Sequence, residues 1–131
     1  MEIRAYMAHP IRGAKGPAAT REERNVNIAR AIEFAAKVRA EFPGLDLYVP
    51  AEHEEFMQYA EDLGILDDER ILTVDRRIVD HRDILIVYAP DRYISAGMQE
   101  EIAVAQATGK PWRLTRGSLG PIHRLLEDLL R

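Results

Sequence analysis

Three observations predict an α/β fold for this chain of 131 residues. Short apolar runs alternate with longer segments whose apolar residues recur at helical spacing. One run, Ile84 to Ala89, is apolar without a break, as in a strand buried on both faces of a parallel sheet. Prolines and glycines punctuate the runs. The expected architecture is a three-layer, Rossmann-like (flavodoxin-like) parallel sheet of four to five strands, with helices on both faces and right-handed crossovers. Residues 1–131 make a single domain: the length supports one core, and no repeat, linker or low-complexity tract divides it.

The elements follow in order. "EIRAYMA" is strand-like and breaks at His9-Pro10 into "IRGAKGPAA", a loop of glycine, alanine and basic residues. Thr20 with Glu23 is a capping box, so a helix starts near Arg21; Ile28, Ala31, Ile32, Ala35 and Val38 carry it until Pro43-Gly44. "LDLYVP" is a second strand. Ala51 to Leu63 reads as a helix ended by Gly64, and about Asp68 to Val79 as another, with Ile71, Leu72, Val74, Ile78 and Val79 mostly inward. "DILIVYA" is a third strand, followed by a helix that ends at Gly109. "PWRLT" is a fourth strand, and Pro121 opens a closing amphipathic helix through Leu130.

Composition narrows the function classes. The net charge of −4 gives no global field for gathering nucleic acid or anionic lipid, so an anionic ligand needs a local site. The apolar runs are too short to span a bilayer and the start of the chain lacks a signal-peptide layout, so a cytoplasmic protein is expected. With no cysteine there is no disulfide framework, thiolate nucleophile or zinc-thiolate site. The histidines His9, His53, His81 and His123 have no ligand-like spacing, so neither a metal nor another cofactor is expected. His81 and His123 read as surface residues, whereas His9 and His53 fall near strand ends and can line a pocket.

In such sheets ligands bind beyond the carboxyl ends of the strands. Three segments collect there: the loop after the first strand, the end of the second, and the turn after "DILIVYA". Advancing about 100° per residue from Met98 groups Ile94, Ile102, Ala105 and Gly109 on one face. Glu101 falls beside them and Glu100 points nearly the opposite way. A carboxylate on that inward face is either a functional anion held rigidly near a helix N-terminus or a residue that caps its helix or pairs with an arginine. The loop "HPIRGAKG" offers Arg12, Lys15, Gly13 and free backbone N–H groups, which is either an anion cradle or an exposed basic loop. It is neither a dinucleotide fingerprint nor a P-loop. "SAG" at 95–97 is a second small-residue turn opening a helix. Asp83, at the amino end of its strand, reads as a turn residue on the wrong edge for binding.

Four segments, in order, resemble the nucleoside 2-deoxyribosyltransferase superfamily, closest to its 2'-deoxynucleoside 5'-phosphate N-hydrolase branch. "YMAHPIRG" resembles that branch's Tyr-x-x-Gly-Ser-Ile-Arg-Gly loop, and "AEH", ending at His53, its Glu-His after the second strand. Asp75, eight residues before Asp83, together with "DILIVY" resembles its Asp-x7-Asp-Val-Val-Val-Ala segment. "SAGMQEEIAVA" aligns without a gap on its Ser-x-Gly-x-Gly-x-Glu-Leu-Gly-x-Ala helix.

The resemblance implies a covalent glycosyl-enzyme mechanism with Glu101 as nucleophile and Tyr6 orienting it. It also implies proton delivery to the leaving base from Asp83, against the spacing argument. Arg12, Gly13, Ser95 and Gly97 match the branch's 5'-phosphate contacts, His53 would line the base or sugar side, and Ile11 and His9 count among the substrate-binding residues. A homodimer or higher homo-oligomer is implied as well. His9-Pro10 departs from the usual Gly-Ser, and Gln99 and Ala103 replace glycines near the nucleophile. The expected substrate is a small nucleotide or nucleoside, with no nucleic acid polymer and no membrane as partner. Base hydrolysis of a deoxynucleoside monophosphate leads, base exchange between deoxynucleosides is the alternative, and a non-catalytic nucleotide-binding module is the third reading.

Overall fold

The structure, a computed structural model, describes residues 2–130. Four strands form the sheet: β1 (Ile3–Ala8), β2 (Leu45–Tyr48), β3 (Ile84–Tyr88) and β4 (Trp112–Thr115). All pairs are parallel, in the order β2-β1-β3-β4, with Tyr6 in register with Tyr48 on one side and Leu85 on the other. Five α-helices complete the chain: α1 (Arg21–Glu41), α2 (Glu54–Asp62), α3 (Asp68–Asp80), α4 (Ala96–Ala107) and α5 (Gly120–Leu129). This is the Rossmann-like, three-layer α/β class that the alternation predicts, with four strands of the expected four to five.

Period-two alternation divides the strands between two cores. Ala5, Met7, Leu47, Ile84 and Ile86 pack against Phe34, Ala35 and Val38 of α1 and Ile122 and Leu125 of α5. Tyr6, Ala8, Leu85 and Val87 face Val79 of α3 and Met98 and Ala105 of α4. The helix starts are local chemistry. Thr20 Oγ1 accepts the Glu23 N–H at 3.1 Å and Glu23 returns a bond to Thr20, closing the predicted capping box. Asp67 accepts the Arg70 N–H at 2.8 Å to open α3, and Ser95 accepts the Met98 N–H at 3.2 Å to open α4.

Three local expectations are corrected. The single helix over Ala51–Leu63 is instead a 3-10 turn, Pro50–His53, followed by α2. The reason is tertiary: His9 Nε2 accepts the Ala51 N–H at 3.0 Å and pins that turn to the end of β1. Val74, expected inward, is 43% exposed, because the inward stripe of α3 runs through Ile71, Leu72, Asp75, Ile78 and Val79. The loop after β1 contains two short 3-10 turns within Gly13–Ala18, separated by a kink at Gly16. Among the described residues no helix is long and apolar enough to cross a membrane.

Candidate active site

A cleft of about 470 Å³ opens at the carboxyl edge of the sheet. Its floor comes from β1 through Tyr6 and His9, and its walls from the loop Ile11–Gly16, from α2, from α3 through Ile71, Leu72 and Asp75, and from the start of α4 through Ser95, Gly97 and Glu101. Of the residues singled out from the sequence, Tyr6, His9, Ile11, Arg12, Gly13, Ser95, Gly97 and Glu101 all line it.

Glu101 is 6% exposed and has no ion-pair partner among the described residues, whereas Glu100, one position on, pairs with Arg76 at 3.1 Å near the surface. Burial pushes the Glu101 carboxyl from its ordinary 4.5 up to about 8, and the charges of Asp75 and Glu100 push the same way. The Tyr6 hydroxyl pulls in the opposite direction, close to the carboxylate but without a hydrogen bond of normal geometry. Burial, then Glu101, then Asp75 hold the Tyr6 phenol well above its ordinary value, so it stays a hydrogen-bond donor. The Tyr6 ring is fixed by stacking on Tyr48, 5.5 Å between centroids, as their shared register dictates.

Asp75 is the carboxylate that the residue-by-residue reading missed. It lies mid-helix on the inward stripe of α3, and burial, then Glu54, raises it to about 6. Its Oδ1 and the Tyr6 hydroxyl are both buried without a partner, and both belong to the cleft. Unpartnered buried polar atoms are costly, and two of them in one cleft mark it as the candidate site. A signal was available: Asp75 interrupts the apolar positions 71, 72, 78 and 79 at helical spacing, the same anomaly that marks Glu101.

Asp83 is a correction. It precedes β3 at the amino edge, where its Oδ2 accepts the Arg4 N–H at 2.8 Å and its own N–H donates to the Arg4 carbonyl at 2.7 Å. Five residues of extended strand, about 16 Å, separate the two edges. The spacing argument, and not the resemblance, places it correctly. His53 is a second correction: it does not line the cleft but stacks outward on Tyr48 at 4.8 Å and is exposed. His9 does line the cleft, but as a structural residue. Burial lowers it to about 4, so it is neutral, with Nε2 accepting from Ala51 and Nδ1 facing the Pro10 carbonyl at 3.3 Å.

The anion-cradle elements converge at the mouth. Gly13 sits at φ +72°, and a Cβ there would meet the Asn27 side chain at 3.2 Å; Asn27 in turn holds the Ile11 carbonyl at 2.9 Å. The loop thereby presents Arg12, whose two terminal nitrogens donate to both oxygens of Asp68 at 3.2 and 3.3 Å. Five carboxylates line the cleft (Glu54, Glu61, Asp68, Asp75 and Glu101) against two guanidinium groups, Arg12 and Arg24. Burial first raises both Glu54 and Glu61, followed by the charge of Glu61 on Glu54 and of Asp68 on Glu61.

No family model matches the sequence, and no curated protein matches it. A solved structure described as a conserved protein from Enterococcus faecalis V583 shares its fold, with a TM-score of 0.61 at 20% identity, covering 100% of this chain and 76% of that one. The likeness is one of fold. Among the described residues no three His, Asp or Glu side chains are grouped to hold a metal ion.

Proposed function

We propose that the chain is an N-glycoside hydrolase of the nucleoside 2-deoxyribosyltransferase type that cleaves the base from 2'-deoxynucleoside 5'-monophosphates. The observation that carries this reading is the meeting of two carboxylates, the buried Glu101 and the half-buried Asp75, with the Tyr6 phenol in one cleft. In the first step a Glu101 oxygen bonds to C1' as the C1'–N bond breaks. The electron pair leaves on the base nitrogen, which takes a proton from Asp75. Tyr6 donates to Glu101 and holds its lone pair toward the sugar. In the second step water adds to C1' and gives its proton to the Asp75 carboxylate, while the C1'–O bond to Glu101 breaks. The sum is nucleotide plus water giving free base plus the sugar phosphate. Ser95 already accepts the Met98 N–H, and its hydroxyl proton remains free for an anionic ligand at the start of α4. A homodimer goes with this reading, on the strength of the resemblance.

One observation favours base exchange on deoxynucleosides without a phosphate as the second reading: Arg12 is engaged by Asp68, in a cleft with more carboxylates than guanidinium groups. The test is incubation with each deoxynucleotide and deoxynucleoside, with and without a second free base, followed by chromatography and mass spectrometry of the intact protein. Free base and a glycosylated protein are expected. Neither base release nor exchange with any substrate would overturn both enzymatic readings.

A further inference from the structure

Arg12 and Asp68 meet fork to fork, with Nη1 on Oδ2 and Nη2 on Oδ1. Two parallel N–H···O bonds to a flat pair of oxygens are what a guanidinium also offers a phosphate monoester, so a carboxylate in that position and an anionic ligand exclude each other. We propose that Asp68 is a specificity-determining residue: its side chain fills the place of the ligand's anionic group on Arg12, so that a 5'-monophosphate binds only by displacing it and the affinity for the phosphate is held down. The inference rests on the reading of the cleft given above.

Three features support it. Arg12 is held to the cleft from the other side, since the Ile11 carbonyl beside it is tied to Asn27 and Gly13 adopts a left-handed turn. The backbone that carries the guanidinium is thereby fixed, and a ligand on that side of the cleft competes with Asp68 for it. Asp68 in its turn is the first residue of α3, where free backbone N–H groups and the helix dipole favour a negative charge, and Asp67 alone supplies the side-chain cap. Glu61 stands next to Asp68 in the same cleft, and burial first and then Asp68 raise its carboxyl, so an arriving phosphate meets a cluster of acidic groups.

The test uses the full chain carrying Glu101→Ala, so that turnover does not consume the ligand, and measures binding of one deoxynucleoside and its 5'-monophosphate by calorimetry. Adding Asp68→Asn, which keeps the helix start because Asp67 caps it, is expected to tighten the monophosphate by about tenfold or more and to leave the deoxynucleoside within about twofold. Asp68→Glu keeps the charge and should stay near the parent, and adding Arg12→Gln should erase the gain. Equal changes for both ligands, or none for the monophosphate, overturn the inference and leave the reading of the cleft standing. If neither ligand binds any variant, both fall together.

Discussion

The two edges of one sheet treat their charges in opposite ways. At the amino edge Asp83 is bonded to the backbone of Arg4, and Arg82 lies 3.4 Å from Asp46 with its guanidinium 5.5 Å from the centre of the Tyr48 ring. There the acidic groups have partners and sit near water, and they hold the fold together. At the carboxyl edge Glu101 and Asp75 are buried without a cation, and their carboxyl groups titrate far above the usual range. A folding chain gains nothing from such an arrangement, because an unpaired buried carboxylate is destabilising. The contrast teaches that strain in the titration of acids, and not their number, marks the working edge of this sheet.

The contrast can be broken most sharply by removing one acid from each edge. Glu101→Ala should lower base release by about 10⁴-fold or more while ligand affinity stays within a few-fold, as read by steady-state kinetics and calorimetry. Asp83→Asn should leave turnover within about twofold and cost about 1 kcal/mol of stability in a denaturant titration. Comparable losses of turnover from both variants would erase the distinction between the edges.

Asp75→Asn should reduce base release by about 10²- to 10³-fold, and by less for substrates whose base leaves without protonation. A uniform loss across leaving groups would remove Asp75 from the role of proton donor. The pair also sets a pH profile. With Asp75 at about 6 and Glu101 at about 8, the two together hold one proton between those limits and titrate as a unit. The active form is the minor arrangement of that proton, on Asp75 with Glu101 ionised, and it shares the pair's pH dependence, so kcat/KM should be bell-shaped with its maximum near pH 7. Below about 6 both carboxyls are protonated and the nucleophile is lost; above about 8 the donor is lost.

Stability gives a test that needs no substrate. Glu101 titrates at about 8 in the folded chain and near 4.5 otherwise, so between those values the folded state keeps a proton that the unfolded state has shed. Stability therefore falls as pH rises through that window. Glu101→Gln removes the loss and should be more stable than the parent at pH 8 to 9, by about 4 kcal/mol, with the advantage fading below about pH 5. An unchanged difference across the range would show that Glu101 is ionised at neutral pH. The smallest effect belongs to Glu100→Ala: the Arg76 pair it breaks is near the surface, so activity should be unaltered and stability within about 0.5 kcal/mol.

Much of this was legible in the chain. The capping box at Thr20, the inward Glu101 beside an outward Glu100, and the uninterrupted apolar run of β3 follow from spacing alone, and the structure reproduces each. Asp75 was legible by the same rule, as a carboxylate within an apolar stripe. His9 was placed at the cleft, but its neutral, bonded state was not, because its partner Ala51 is far along the chain. His53 was misplaced because a 3-10 turn that no local signal announces rotates it outward onto Tyr48.

Helical and strand periodicity are properties of neighbouring residues, and so caps, strand order of appearance and the face each acid presents are written in the chain itself. Partnership is not local. Whether a carboxylate at a given face meets a backbone N–H, a guanidinium or only apolar atoms depends on residues dozens of positions away, and desolvation and Coulomb energies depend on those distances. That is why spacing alone set Asp83 apart from Glu101, whereas the lack of a cation partner at Asp75 and Glu101 emerged only once the sheet had brought the two to one edge.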